Sequence, residues 1–145
     1  MTRVLHFGDT AVRPYLQSLC TQLNQSIGEA RNVIVTVDCD DLELPRSRAI
    51  PIGLIINELA TNAFKHAFPE AFAAGEIRVQ LRRRNGITLI VEDNGKGCSK
   101  ASREGVGSRL IKELVGQLEG SFHPEDAQPG CRVTITIPDK AQQPL

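Results

Sequence analysis

Four polar side chains in the stretch 51–69, PIGLIINELATNAFKHAFP, have the types and spacing to hold one charged ligand: Glu58, Asn62, Lys65 and His66. On a helix, at about 100° per residue, positions 58, 62 and 65 stack on one line of the surface. A carboxylate, a carboxamide and an ammonium then face the same way, the groups that would hold a metal ion and a polyphosphate. The Asn62 amide oxygen suits Mg²⁺, a hard cation that takes oxygen ligands and keeps several waters. Lys65 is a point charge for phosphate. Glu58, one turn earlier, could act as a general base or hold a metal-bound water. His66 could donate to phosphate, or compensate the dipole at the end of the helix. A solvated helix face with no ligand would carry the same residues, so this helix alone leaves the choice open.

Two more stretches bear on that choice. Asp93-Asn94-Gly95-Lys96-Gly97 directly follows a strand-like run. A D-x-G-x-G run by itself is most often a turn. At the end of a strand, though, the carboxylate can accept from an exocyclic amine, and Gly95 and Gly97 leave room for a flat base against the backbone. Gly105-Val106-Gly107, followed by Ser108, opens a helical pattern. Unpaired N–H groups and the positive end of a helix dipole favour phosphate there. A lone G-x-G is weak, and neither a Walker lysine nor a βαβ context accompanies it.

The elements that must position these groups follow from periodicity. Residues 13–27 carry an apolar stripe (Leu16, Leu19, Cys20, Leu23, Ile27), with Gly28 as the expected C-cap. Residues 32–38 read as a strand, with a short extended piece at Leu42-Glu43-Leu44. The central helix is expected from Ile50, with Pro51 in its first turn, to Phe68 before Pro69. Residues 76–84 alternate as a half-buried strand. Asn85-Gly86 signals a two-residue hairpin turn into a return strand over 87–92. A third helix opens at 105–107 and closes at Gly120, and two strands follow near 121–123 and 132–137. The expected fold is α+β: three helices on one face of a mostly antiparallel mixed sheet, a two-layer sandwich. Residues 1–12 read as a linker remnant, 13–138 as one domain and 139–145 as a disordered tail.

Composition narrows the class. A chain of 145 residues can bury one core. Its 17 basic and 17 acidic residues cancel, so nothing argues for nucleic acid or a membrane surface as partner. The longest apolar run, AIPIGLII, is too short to span a bilayer, and no signal peptide is visible. Cys20, Cys39, Cys98 and Cys131 form no C-x-x-C, which argues against zinc and fits reduced thiols in a cytoplasmic setting.

Taken together and in order, N-E-L-A-T-N-A-F-K-H-A-F, D-N-G-K-G and G-V-G ahead of an amphipathic helix resemble the N, G1 and G2 boxes of the GHKL ATPase superfamily. The likeness is strongest to the catalytic ATP-binding domain of bacterial sensor histidine kinases, and within them to the HisKA_2 and HWE-related group. It spans residues 13–138. It implies a Bergerat-type sandwich that binds ATP with Mg²⁺. By the resemblance Asn62 would ligand Mg²⁺, Lys65 and His66 would contact phosphate, and Asp93 would bond the adenine amine. Gly95 and Gly97 would pass under the base, and the backbone of Gly105, Val106, Gly107 and Ser108 would hold phosphates. Glu58 falls where the superfamily's ATPases carry a general base.

The implied reaction is transfer of the γ-phosphoryl group to a histidine on a separate helical-hairpin domain, upstream in a longer chain or in trans, with a response regulator served indirectly. Three departures accompany the likeness. No phosphoacceptor histidine is visible, since His6 precedes Phe-Gly-Asp. The loop Cys98–Glu104 is shorter than most family lids, which implies poorer cover of the phosphates. Gly130-Cys131 stands where Gly-Thr is usual, and Ser108 where Leu is common. Other readings of the fold are a non-catalytic nucleotide-binding or docking module and an anti-sigma-factor serine kinase. No long heptad seam remains, so the fragment is expected to be monomeric.

Overall fold

The computed structural model describes residues 9–28, 32–68, 74–96 and 108–139. Alternation of apolar and polar residues builds its sheet. Five strands, β2 (Val33–Cys39), β4 (Gly75–Arg83), β5 (Ile87–Asp93), β6 (Ser121–Asp126) and β7 (Cys131–Ile137), pair in the order β2-β4-β5-β7-β6. Short strands β1 (Asp9–Ala11) and β3 (Glu43–Pro45) form a separate antiparallel pair. Within the large sheet β2 and β4 run parallel and every other pair is antiparallel. A parallel pair needs a long crossover, and the chain between β2 and β4 supplies one through the central helix.

Three α-helices, α1 (Val12–Leu23), α2 (Arg46–His66) and α3 (Arg109–Gln117), cover one face. Under them the register stacks apolar rows. Val79 lies opposite Val91, which lies opposite Val133, and Leu81, Leu89 and Ile135 form the next row. These side chains, with Leu16, Ile52, Ile56, Phe64 and Ile111, are buried in one core. The opposite face of the sheet carries charge. Arg78, Glu92, Arg132 and Glu125 stand in one row across four strands and bridge in sequence at 3.2, 2.8 and 3.1 Å. The expected α+β sandwich, three helices over a mostly antiparallel mixed sheet, is the architecture found.

Several boundaries differ from expectation, each for a tertiary reason. Residues 9–11, placed in the linker stretch, pair with β3. Helix α1 ends at Leu23 and passes into a π-helical turn, Asn24–Gly28. There the Asn24 side chain binds the edge strand at both Val35 N and Val35 O, at 2.7 and 2.9 Å. Helix α2 starts at Arg46, so Pro51 sits in its interior and not its first turn. The proline removes the N–H that would reach the Ser47 carbonyl, and Ser47 is exposed, where water can take that bond. The hairpin register pairs Arg83 with Ile87, which leaves three residues in the turn and not two. Asn85 and Gly86 both take positive φ there. At the end of α3 it is Glu119 that takes the left-handed conformation, one residue before Gly120.

Pro138 and Asp139, directly after β7, are held as well. The Arg83 Nε lies 2.6 Å from Asp139, whose carboxylate is buried, and Arg48 in the first turn of α2 donates to the Pro138 carbonyl. Position 139, assigned to the tail, therefore packs with the body. Removing one partner of a buried ion pair strands the other charge. Arg83→Met is expected to lower the unfolding free energy by about 3 kcal/mol. The double variant Arg83→Met/Asp139→Leu should recover part of that loss in urea titrations. A single variant as stable as the parent would show that the pair holds nothing.

Candidate functional site

Helix α2 carries the first group of site residues. Its inner stripe, Ile52, Ile56, Leu59, Ala60 and Phe64, is buried. That burial turns the other side outward: Glu58 and Asn62 are half-buried, Lys65 and His66 exposed. Among the described residues none of these four side chains makes a hydrogen bond or ion pair. Lys65 and His66 occupy the last turn, where positive charge complements the dipole.

A backbone contact then joins this helix end to the second group. The Lys96 N–H donates to the Ala67 carbonyl at 3.0 Å. Gly95 lies so close that a Cβ built on it would stand 2.7 Å from the Ala67 Cβ. Glycine at 95 was expected to clear space for a flat base, but the space its missing side chain leaves is filled by the end of α2. The structure thus brings the Glu58–His66 face and the Asp93–Lys96 turn to one place.

Asp93 ends β5 and is held from two sides. Its Oδ1 accepts from the Gly95 N–H at 2.9 Å and from the Cys131 N–H at 3.3 Å. Oδ2 takes no bond among the described residues. Burial pushes the Asp93 carboxyl above its ordinary value, the two backbone N–H groups pull it back, and the neighbouring Glu92 charge adds to the rise. Asn94 anchors the same turn to the start of β4: its Oδ1 accepts from the Glu76 N–H at 2.8 Å and its Nδ2 donates to the Ala74 carbonyl at 3.3 Å. Gly130 takes φ +94°, and a Cβ there would fall 2.6 Å from the Asp93 carbonyl carbon. Sequence reasoning gave Asn94 no role, noted Gly130-Cys131 only as a departure from the family's Gly-Thr, and missed the Cys131 amide as a partner of Asp93. No local pattern points from Cys131 to an aspartate 38 positions away.

Of the third group only Ser108 lies among the described residues. It is the N-cap of α3, and its Oγ accepts from the Ile111 N–H at 3.3 Å. Capping therefore occupies its hydroxyl. Helix α3 packs against α2. Gly97, Gly105, Val106, Gly107 and the loop Cys98–Glu104 lie outside the described residues. The thiols also depart from expectation: Cys20 and Cys39 are free and buried, with burial pushing each up to about 11, but Cys131 is disulfide-bonded.

The donors test the case for a metal. Among the described residues no cluster of three His, Cys, Asp or Glu side chains could hold an ion. Helix α2 offers instead one carboxamide, with one carboxylate a turn away. That set does not fit an all-protein cage. It fits Mg²⁺, which keeps several waters and takes the rest of its ligands from phosphate.

Known proteins resemble this chain. The family described as histidine kinase-, DNA gyrase B-, and HSP90-like ATPase matches residues 47–141. The chain is 30% identical over 137 residues to blue-light-activated histidine kinase 2 of Erythrobacter litoralis, covering 90% of this chain and 39% of that protein. It is 30% identical over 102 residues to the sensor histidine kinase PdtaS of Mycobacterium tuberculosis, covering 66% of this chain and 20% of the relative. A solved structure of a blue-light activated histidine kinase from Erythrobacter litoralis superposes with TM-score 0.80 at 28% identity, over 91% of this chain and 43% of the other. The chain thus spans less than half the length of these relatives.

The raised Asp93 carboxyl has a consequence for stability. From the ordinary value of 3.8 up to the raised one, the folded chain keeps a proton that the unfolded chain has lost. Stability therefore falls as pH rises through that window, and at neutral pH the charged Asp93 is a cost to folding. Asp93→Asn keeps an acceptor for both amides and removes the charge. Its melting midpoint at pH 7 should equal or exceed the parent's, with the advantage shrinking toward pH 4. A lower midpoint at pH 7 would mean that the charge itself holds the turn.

Proposed function

The chain belongs to the histidine kinase-, DNA gyrase B- and HSP90-like ATPases, and from that premise we propose that it is the ATP-binding catalytic domain of a sensor histidine kinase. The observation that carries the reading is the Asp93 carboxylate, held through Oδ1 by two backbone amides with Oδ2 left to accept. A fixed, desolvated acceptor at a strand end suits the exocyclic amine of adenine. With Oδ1 engaged, Oδ2 is left to accept from an external donor.

Around that anchor the remaining roles are those that the family resemblance implies. Lys65 and His66 contact phosphate, and Asn62 supplies an oxygen to Mg²⁺. Gly97 passes beneath the base, and the backbone from Gly105 to Ser108 holds phosphate oxygens. Bound Mg²⁺ would supply charge neutralisation for phosphoryl transfer. Glu58, one turn from Asn62, orients or deprotonates the attacking nucleophile. The protein's own contribution is positioning and preorganised charge.

The acceptor is a histidine on a helical-hairpin domain carried elsewhere in a longer chain or in trans, as the greater length of the relatives suggests. A response regulator then takes the phosphoryl group from that domain. No helix among the described residues is long and apolar enough to cross a membrane. The proposed setting is cytoplasmic, with this segment monomeric.

Calorimetric titration with ADP and Mg²⁺ is expected to give a dissociation constant between micromolar and millimolar, about −4 to −8 kcal/mol. Asp93→Asn should lose about 1–3 kcal/mol of it, the loss of a charge-assisted bond. Guanine nucleotides carry an oxo group where adenine carries that amine and should bind poorly. No heat at millimolar ADP, or equal affinity for ATP and GTP, would sink the reading.

Glu58 calls for a different measurement. With a phosphoacceptor hairpin domain supplied, Glu58→Gln should slow phosphoryl transfer to histidine by about 10²-fold or more while ADP affinity holds. A normal rate would move Glu58 to the scaffold. Phosphate appearing on serine rather than histidine would contradict the proposed reaction.

A further inference from the structure

We propose that Asn94 is a positioning residue for base selection: its carboxamide stands in for the next rung of the ladder and so fixes where Asp93 Oδ2 points. The proposal rests on the nucleotide reading above and adds a second residue to it.

The register gives Asn94 a defined place. Arg78 pairs with Glu92 and Ile77 with Asp93, so the next opposed pair is Glu76 with Asn94. A hydrogen-bonded pair in an antiparallel ladder exchanges two main-chain bonds. Half of that exchange is present, the Asn94 N–H donating to the Glu76 carbonyl at 3.2 Å. The other half comes from the side chain. The Glu76 N–H donates to Asn94 Oδ1 at 2.8 Å, and Asn94 Nδ2 donates to the Ala74 carbonyl at 3.3 Å. A carboxamide is acceptor and donor at once, so one side chain holds the start of β4 where the main chain of β5 stops pairing.

That exchange frees the backbone to leave the sheet. Gly95 turns against the end of α2, and the Lys96 N–H reaches the Ala67 carbonyl. In the same turn the Gly95 N–H reaches Asp93 Oδ1 at 2.9 Å. The Asn94 carbonyl and the Gly95 N–H belong to one planar peptide. Without the carboxamide, the Glu76 N–H recovers a ladder partner only if the residue 94 carbonyl turns back to it, and that rotation swings the Gly95 N–H off Oδ1. Asp93 would then keep only the 3.3 Å bond from the Cys131 N–H, and its free oxygen would lose its aim.

The test titrates ADP and inosine diphosphate, each with Mg²⁺, into the parent and two variants. The two ligands share sugar and phosphates. Inosine diphosphate carries an oxo group where adenine carries the amine, so the ratio of affinities reads the base alone. The parent is expected to prefer ADP by roughly fivefold or more. Asn94→Ala should cut that preference by roughly threefold or more. Asn94→Asp keeps an acceptor for the Glu76 N–H, which guards against a variant that merely unfolds, but it cannot donate to the Ala74 carbonyl. Its preference should also fall, by less than that of Asn94→Ala. The parent's ratio in either folded variant overturns the proposal, even with a lower melting midpoint, because Asn94 is then only a brace for the turn. No ADP binding by the parent, or equal binding of both ligands, overturns the nucleotide reading itself; a parental preference that the variants keep overturns this proposal alone.

Discussion

The arrangement depends on one close approach, that of Gly95 to the end of α2. A helix terminates with carbonyls that have no partner within it. Here the Ala67 carbonyl accepts from the Lys96 N–H, and the absence of a side chain at 95 lets the turn reach it. That contact joins the helix bearing Glu58, Asn62, Lys65 and His66 to the strand end bearing Asp93. Backbone atoms make the join, so the distance between the two groups does not rest on flexible side chains. A Cβ at 95 would push the turn away from the helix and pull the site apart.

Asp93 shows what such a site costs the fold. Its carboxylate is half-buried with no cation beside it among the described residues, only two amide dipoles and the like charge of Glu92. A group arranged for stability alone would be neutral or paired. Sites that bind commonly give up stability in this way. The surrounding sheet limits the damage. The alternating row Arg78–Glu92–Arg132–Glu125 spreads charge across four strands and ties Glu92 on both sides. Exposed bridges contribute little individually, but the row keeps the end of β5, and hence Asp93, in register.

Cys131 and Gly130 extend the same logic to β7. Gly130 takes φ +94°, and any side chain there would collide with the backbone of Asp93, so only glycine fits. The N–H that follows it completes the carboxylate's cradle. The site is thus a three-way junction of α2, β5 and β7, and each arm is fixed by backbone contacts.

Periodicity alone determined the large elements. The apolar stripe of 52–64 had to lie on a core, which obliged Glu58, Asn62, Lys65 and His66 to face outward. Strict alternation in 77–82 and the return strand after the Asn85-Gly86 turn placed Asp93 at a strand end. The balanced charge gave no argument for a nucleic-acid partner, and three motifs in order pointed to the family. What the sequence left undecided was set by contacts between distant parts. Helix α2 begins at Arg46, directly after β3, and its Arg48 side chain donates to the Pro138 carbonyl 90 positions away, a contact that no local propensity encodes. Gly95 looked like room for a ligand and proved to be room for a helix end. The role of Gly130 and of the Cys131 amide exists only once β7 lies beside β5. A sequence states which face of each element is apolar, but which backbone atoms meet at an element's end is decided only when the elements pack.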